Sequence, residues 1–202
     1  GSIAIMNAGV QTISSGGNGT IATMNAGTQD ISSGGSGSVT TMLGGSQDVE
    51  GSGTIDTMKN GRQEIFSGAG KIGTMDDGVQ YVYQGGVASV TTQNGGIQQN
   101  VGGESFVDTM EGRIQSAVNS GAVASIATMN GGLQELDNDA TGTIAEMGGG
   151  SQVIFGGAVG SVGDMLAGTQ QISLGGSGYV KLIYSEAGVQ AIGVGGTGTV
   201  SS

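Results

Sequence analysis

The chain has 202 residues, 45 of them glycine, and no proline, cysteine, histidine or tryptophan. Without Cys or His, the usual zinc, haem, iron–sulfur and copper sites are excluded, as is nucleophilic catalysis by Ser-His-Asp or Cys-His pairs. Five basic against sixteen acidic residues give a net charge of -11, and aromatics are only 3 %; nucleic acid, which needs cationic surface and stacking platforms, is excluded as a partner.

Glycine is abundant, but no G-X-Y period marks a collagen. No stretch reads as a signal peptide, and no apolar run is long enough to span a bilayer. The absence of cysteine fits a cytosolic protein and equally a bacterial surface protein exported unfolded.

An internal repeat organises the whole chain. Its clearest column is glutamine, at Gln11, Gln29, Gln47, Gln63, Gln80, Gln98, Gln115, Gln134, Gln152, Gln170 and Gln190, spaced 16 to 20 residues apart. Glycine stands two residues earlier in every unit except that of Gln115, where Arg113 takes its place. All nine methionines, Met6, Met24, Met42, Met58, Met75, Met110, Met129, Met147 and Met165, lie five residues before one of these glutamines. Gln93 fills that slot in one unit, and the last unit, which carries an extra residue, has Tyr184 or Ser185 there.

Aliphatic columns flank the glutamines. Eight residues before stand Ile3, Ile21, Val39 and so on to Val162; two residues after stand Ile13, Ile31, Val49 and so on to Ile192. Asn100 and Ala117 depart from the second column. Each unit thus predicts two short strands, such as Ser125–Met129 and Leu133–Leu136, separated by turns of Gly, Asn and Ser. No window has a helical apolar period. The chain reads as all-β: a single parallel β-solenoid of about eleven coils, ~18 residues and two strands per coil, running through residues 1–202 as one array. No cap is visible, so a fragment of a longer array is expected.

Strand parity assigns the faces. Charged neighbours such as Asp30, Asp48, Arg62, Glu64 and Glu135 turn outward, so Gln and the aliphatic residue after it turn inward. The seventh residue before Gln includes Asp56 and Asp108, and the sixth is mostly Thr but also Glu146 and Asp164, so two successive positions face outward, which breaks alternation. A bend or bulge there lets methionine, a flexible filler, turn back into the core. Stacked glutamines satisfy one another, each amide donating to one coil and accepting from the next.

The unit resembles the passenger repeats of AIDA-type self-associating autotransporter adhesins. Met129-Asn130-Gly131-Gly132-Leu133-Gln134-Glu135-Leu136 matches their "N-x-G-G-x-Q-x-V" segment. Ser14-Ser15-Gly16-Gly17 and Gln84-Gly85-Gly86-Val87-Ala88 match their "S-G-G-x-A" turn. Methionine replaces the usual Val or Ile, and the unit is about one residue shorter. The resemblance implies a right-handed solenoid on the bacterial cell surface, acting in adhesion, self-association and biofilm formation. It implies partners among identical arrays and host or cell-surface glycans and proteins, and a glycosyltransferase modifying serines. The acceptors would be Ser14, Ser15, Ser32, Ser33, Ser67 and Ser173.

Neither a catalytic site, a metal site nor a cofactor is expected, and the chain reads as non-enzymatic. Two rivals use the same architecture. A lyase-like or carbohydrate-binding β-helix would cluster Asp with Lys or Arg, whereas Asp76-Asp77 and Asp137-Asn138-Asp139 have no basic neighbour in sequence. An ice-binding solenoid would present rows of threonine; Thr23, Thr41, Thr57, Thr74, Thr92, Thr109 and Thr128 make one row, which ends at Glu146 and Asp164.

Overall fold

In the computed structural model, which describes residues 1–201, twenty-three strands are present and no helix. They form two parallel sheets, one of twelve strands and one of eleven. Each coil gives its first strand to the larger sheet and its second to the smaller; in the second coil these are Asn18–Met24 and Thr28–Ile31. Neighbours within a sheet are equivalent strands of successive coils. The expected solenoid of eleven coils is the architecture observed, and coils are numbered below by their glutamines.

The turn between the two strands explains the glycine column. Gly27 has φ +94°, and a Cβ there would lie 2.6 Å from the carbonyl oxygen of Gly9 in the coil below. That same carbonyl accepts the amide of Thr28 at 2.9 Å. Glycine therefore answers two demands at once, a left-handed backbone and close coil approach. Arg113 adopts φ 69° at the equivalent position and carries the strain of a side chain there.

The first strand bends where parity fails. Its register pairs Ile21 with Val39 and Thr23 with Thr41, passing over Ala22 and Thr40. The same omission recurs in the other coils, for example over Asp56 and Gly73. Past the bend the methionine side chain re-enters the interior, and Met24, Met42 and Met58 are wholly buried.

The interior divides into two lobes with the glutamine column between them. Methionine and the aliphatic residue eight before Gln form one unbroken apolar cluster from Met6 to Val180. The aliphatic residue two after Gln forms the other lobe, which splits into two clusters, Ile13 to Ala88 and Ala117 to Ile172. The split falls at Asn100 and Ser105, both buried.

A further inward column, ten residues before Gln, matches its occupant to the side chain it faces. Where it is glycine, as at Gly160, a Cβ would come within 2.3 Å of Ile154 Cδ1 and 2.9 Å of Gln152 Oε1. In coils five to seven the column becomes Ala88, Ser105 and Ala124 opposite Val82, Asn100 and Ala117; valine admits either occupant, since Val49 faces Gly53. Cores of fixed volume tolerate such exchanges when the total is kept.

Two stability measurements follow. Gly160→Ala alone should cost about 1–3 kcal/mol by overpacking. In a double-mutant cycle, combining it with Ile154→Ala should recover much of that loss; additive costs in denaturant melts would refute the matching. Arg113→Gly should raise stability by about 1 kcal/mol through release of the left-handed backbone, and a lower melting temperature would count against it.

Candidate interaction surfaces

The glutamines lie between the sheets, not on a face. Gln29 through Gln170 are fully buried, while the terminal members Gln11 and Gln190 are partly exposed. Gln29 Nε2 donates to Gln11 Oε1 at 2.7 Å, and the pattern continues without a gap to Gln190, whose Nε2 donates to Gln170 Oε1 at 2.6 Å. Every bond points the same way, from the later coil to the earlier, at 2.6–2.8 Å. A buried amide left unpaired costs about 1–3 kcal/mol; the ladder satisfies each interior member twice. It is a structural element, closed to outside ligands.

The methionines are likewise interior, so their sulfurs present no surface row. Gln93, in the methionine column, is also fully buried. Its Nε2 donates to the Ile114 carbonyl at 3.1 Å, while its Oε1 has no protein partner. Asn100 is better served: Nδ2 donates to the carbonyls of Gly103 and Val123 at 2.8 and 2.7 Å, and Oδ1 accepts the Gly103 amide at 2.7 Å.

The serines named above sit on the turn that follows the second strand. Ser14, Ser15 and Ser33 are exposed, and Ser32, Ser67 and Ser173 half-buried. Their backbones build the turn: the carbonyls of Ser14 and Ser32 accept the amides of Gly17 and Gly35 at 2.8 Å. The serine turns of coils one and two are neighbours, while Ser67 and Ser173 stand apart in coils four and ten.

Two outward features emerge only in three dimensions. The first lies on the outer face of the larger sheet. The seven threonines form an in-register, half-buried row, pairing Thr23 with Thr41 and onward to Thr128. Beside it, Gly73 contributes no side chain and leaves a concavity of about 450 Å³ edged by Thr54, Asp56, Lys71, Thr74 and Thr92. Asp56 and Lys71 are 15 residues apart in sequence but border one groove. Among the described residues the ion pair formed is Arg62–Glu64 at 3.1 Å, so neither group of the groove is neutralised by the other.

The second lies on the outer face of the smaller sheet. The columns flanking Gln are polar in coils two to four, with Thr28, Asp30, Ser46, Asp48, Arg62 and Glu64, while coil one carries the exposed Val10. In coils five to eight the column before Gln becomes Val79, Ile97, Ile114 and Leu133 in register. Three residues after Gln, Tyr83, Val101 and Val118 stack likewise. Phe66 extends that column, its ring parallel to Tyr83 within 3° at 5.2 Å. Burial first, then the Glu64 charge, raises the Tyr83 phenol above its ordinary value of 10.0. Outward parity is as the strand pattern requires; the apolar character of this stretch is not.

Comparison with protein-family models, with curated proteins and with solved structures returns no match. Functional statements about this chain therefore rest on its own residues.

The ladder and its exception give opposite expectations. Gln98→Leu orphans one donor and one acceptor on its neighbours and should cost about 2–6 kcal/mol. Gln93→Met removes an unpartnered buried oxygen and restores the column, and should add about 1–3 kcal/mol. Equal and small effects in chemical denaturation would refute this assignment.

Proposed function

We propose that the array is a structural and adhesive module of the bacterial cell surface, a rod that spaces binding surfaces and associates with copies of itself. The observation that carries this reading is the uninterrupted in-register stack: ladder after ladder joins the coils, from Gln11 to Gln190. Such a stack spreads each outward column into a straight row at a repeat of ~4.8 Å. Its product is a long, regular face. The adhesin-like repeat motif and the exposed serine turns agree with a surface location, with those serines as glycan acceptors.

The test has three parts. Sedimentation velocity should show an extended particle that associates as its concentration rises. Cells displaying the array should clump, and cells without it should not. Intact mass of native material should exceed the sequence mass by whole sugar units; an unmodified mass removes glycosylation, and a compact monomer with no effect on clumping removes the adhesive reading.

The groove on the larger sheet favours a second reading, carbohydrate binding. Threonine hydroxyls with one carboxylate and one ammonium offer both donors and acceptors, as sugar hydroxyls require. Titration with chitohexaose or cellohexaose up to about 10 mM, enough to see millimolar affinity, should shift the Thr74 and Thr92 amides, and Lys71→Ala should abolish the shifts. Unmoved amides would eliminate this reading.

A further inference from the structure

We infer that Asn60-Gly61 is a self-modification site of the folded rod, where the Gly61 nitrogen attacks the Asn60 side chain and converts the asparagine to aspartate and isoaspartate. The reaction is independent of any adhesive role. Four Asn-Gly pairs occur in the chain: Asn18-Gly19, Asn60-Gly61, Asn94-Gly95 and Asn130-Gly131. Glycine after asparagine leaves the attack unobstructed, since no Cβ crowds the nitrogen. In sequence the four pairs are alike; the geometry of the coil separates them.

In the turn between the two strands, the amide three residues before Gln is tied to the coil below. Gly95 N donates to the Met75 carbonyl at 3.1 Å, and Gly131 N to the Met110 carbonyl at 3.3 Å. The side chains before them are tied as well. Asn94 Nδ2 donates to Asp76 Oδ1 at 2.9 Å, and Asn130 Nδ2 to Glu111 Oε1 at 3.0 Å. Asn18-Gly19 lies inside the strand Asn18–Met24, in register with Ser36 and Gly37 of the next coil. All three pairs must loosen the stack before they react.

Asn60 stands one residue later in its unit, so the amide after it belongs to the left-handed glycine two before Gln. Gly61 has φ +101°. Its N–H donates to Asn60 Oδ1 at 2.8 Å and to no backbone carbonyl among the described residues. That contact holds the nitrogen within about 4 Å of Cγ, close to near-attack range, and polarises the carbonyl to be attacked. Asn60 is exposed, so water and base reach it. The next coil repeats the arrangement with a carboxyl group, Gly78 N donating to Asp77 Oδ1 at 2.9 Å. Every other coil places Ala or Gly at this position.

The step balances with water as its only co-reactant. A solvent base takes the Gly61 N–H proton, the nitrogen bonds to Asn60 Cγ, and the side-chain nitrogen takes up a proton and leaves as ammonia. The product is a cyclic succinimide, which water then opens. Attack at Cγ gives aspartate on the ordinary backbone; attack at the Asn60 backbone carbonyl gives isoaspartate, with the chain running through the side chain. Asp77 follows the same route, losing water and regaining it. Deamidation sets a negative charge beneath Asp77 in the stack. Isoaspartate also lengthens a turn that is bonded on both sides, by Arg62 N to the Gly45 carbonyl and by Val79 N to the Gly61 carbonyl, each at 3.0 Å. Molecules altered at coils four and five therefore accumulate with age.

Incubation of the whole chain in heavy-oxygen water at neutral pH, followed by peptide mass spectrometry, tests the assignment. Asn60 should take up heavy oxygen at least about tenfold faster than Asn94 and Asn130, because its attacking nitrogen needs no opening of the coil. In urea, with the fold lost, the rates of the Asn-Gly pairs should converge to within about threefold. Asp77→Asn recreates the Asn60 arrangement one coil further on and should deamidate within about threefold of the Asn60 rate. Asp76→Ala frees Asn94 Nδ2 but leaves the Gly95 amide on Met75, so Asn94 should stay slow. Circular dichroism melts establish that both variants fold. Equal rates at Asn60, Asn94 and Asn130 in the folded chain, or an Asp77→Asn variant that stays unmodified while Asn60 reacts, would overturn the inference.

Discussion

The structure depends on one constraint: each coil must lie in register on the next. Backbone bonds of the two parallel sheets set the spacing, and the glutamine amides reproduce it inside the rod. Gln134 Nε2 donates to Gln115 Oε1 at 2.8 Å although the unit between them is a residue longer than most. Units of 16 and 20 residues are absorbed in the same way, at 2.6 Å in each case. Length variation is taken up in the turns, and the interior columns stay aligned. A slip by one residue would turn every glutamine outward and every charged neighbour inward. The polar column thus punishes misregistration in a way an all-apolar core would not.

Departures from the repeat cluster in coils six and seven, where Gln93, Asn100, Arg113 and Ala117 all occur. Asn100 remakes locally what the ladder does between coils, closing bonds to Gly103 and Val123. Gln93 does this only by half. The adjacent core shrinks at Ala117 and is filled from the opposite strand by Ala124. On the outside, two apolar columns, Val79–Ile97–Ile114 and Tyr83–Val101–Val118, half-buried except at Ile97, cross these same coils on either side of Tyr81, Gln99 and Ser116.

The architecture was legible in the sequence because a solenoid writes its fold as a period. Methionine and glutamine at fixed spacing, with aliphatic residues eight before and two after, give the coil, its two strands and its inward faces. The bend before methionine was legible too, from two successive positions that both admit charged residues, such as Asp56 and Asp108 in one and Glu146 and Asp164 in the other. Less legible was the column ten before Gln. Its glycines look like turn residues, and only contact with Ile154 and its equivalents shows that they make room for a core side chain. Its signal was present in the sequence as covariation between Asn100 and Ser105, or Ala117 and Ala124, read along the array. The groove was hidden because Asp56 and Lys71 belong to different coils. The apolar run before Gln was hidden because Arg62 stood for the whole column, while coils five to eight carry Val79, Ile97, Ile114 and Leu133 there.

The claim that most of this rests on is the interior amide ladder, and hydrogen exchange of side-chain amides measures it directly. Nε2 protons of Gln80, Gln98, Gln115 and Gln134 should exchange only when coils separate, far more slowly than those of Gln84, which is exposed. Exchange of the ladder amides at the same rate as Gln84 would show that no closed ladder exists and contradict the account.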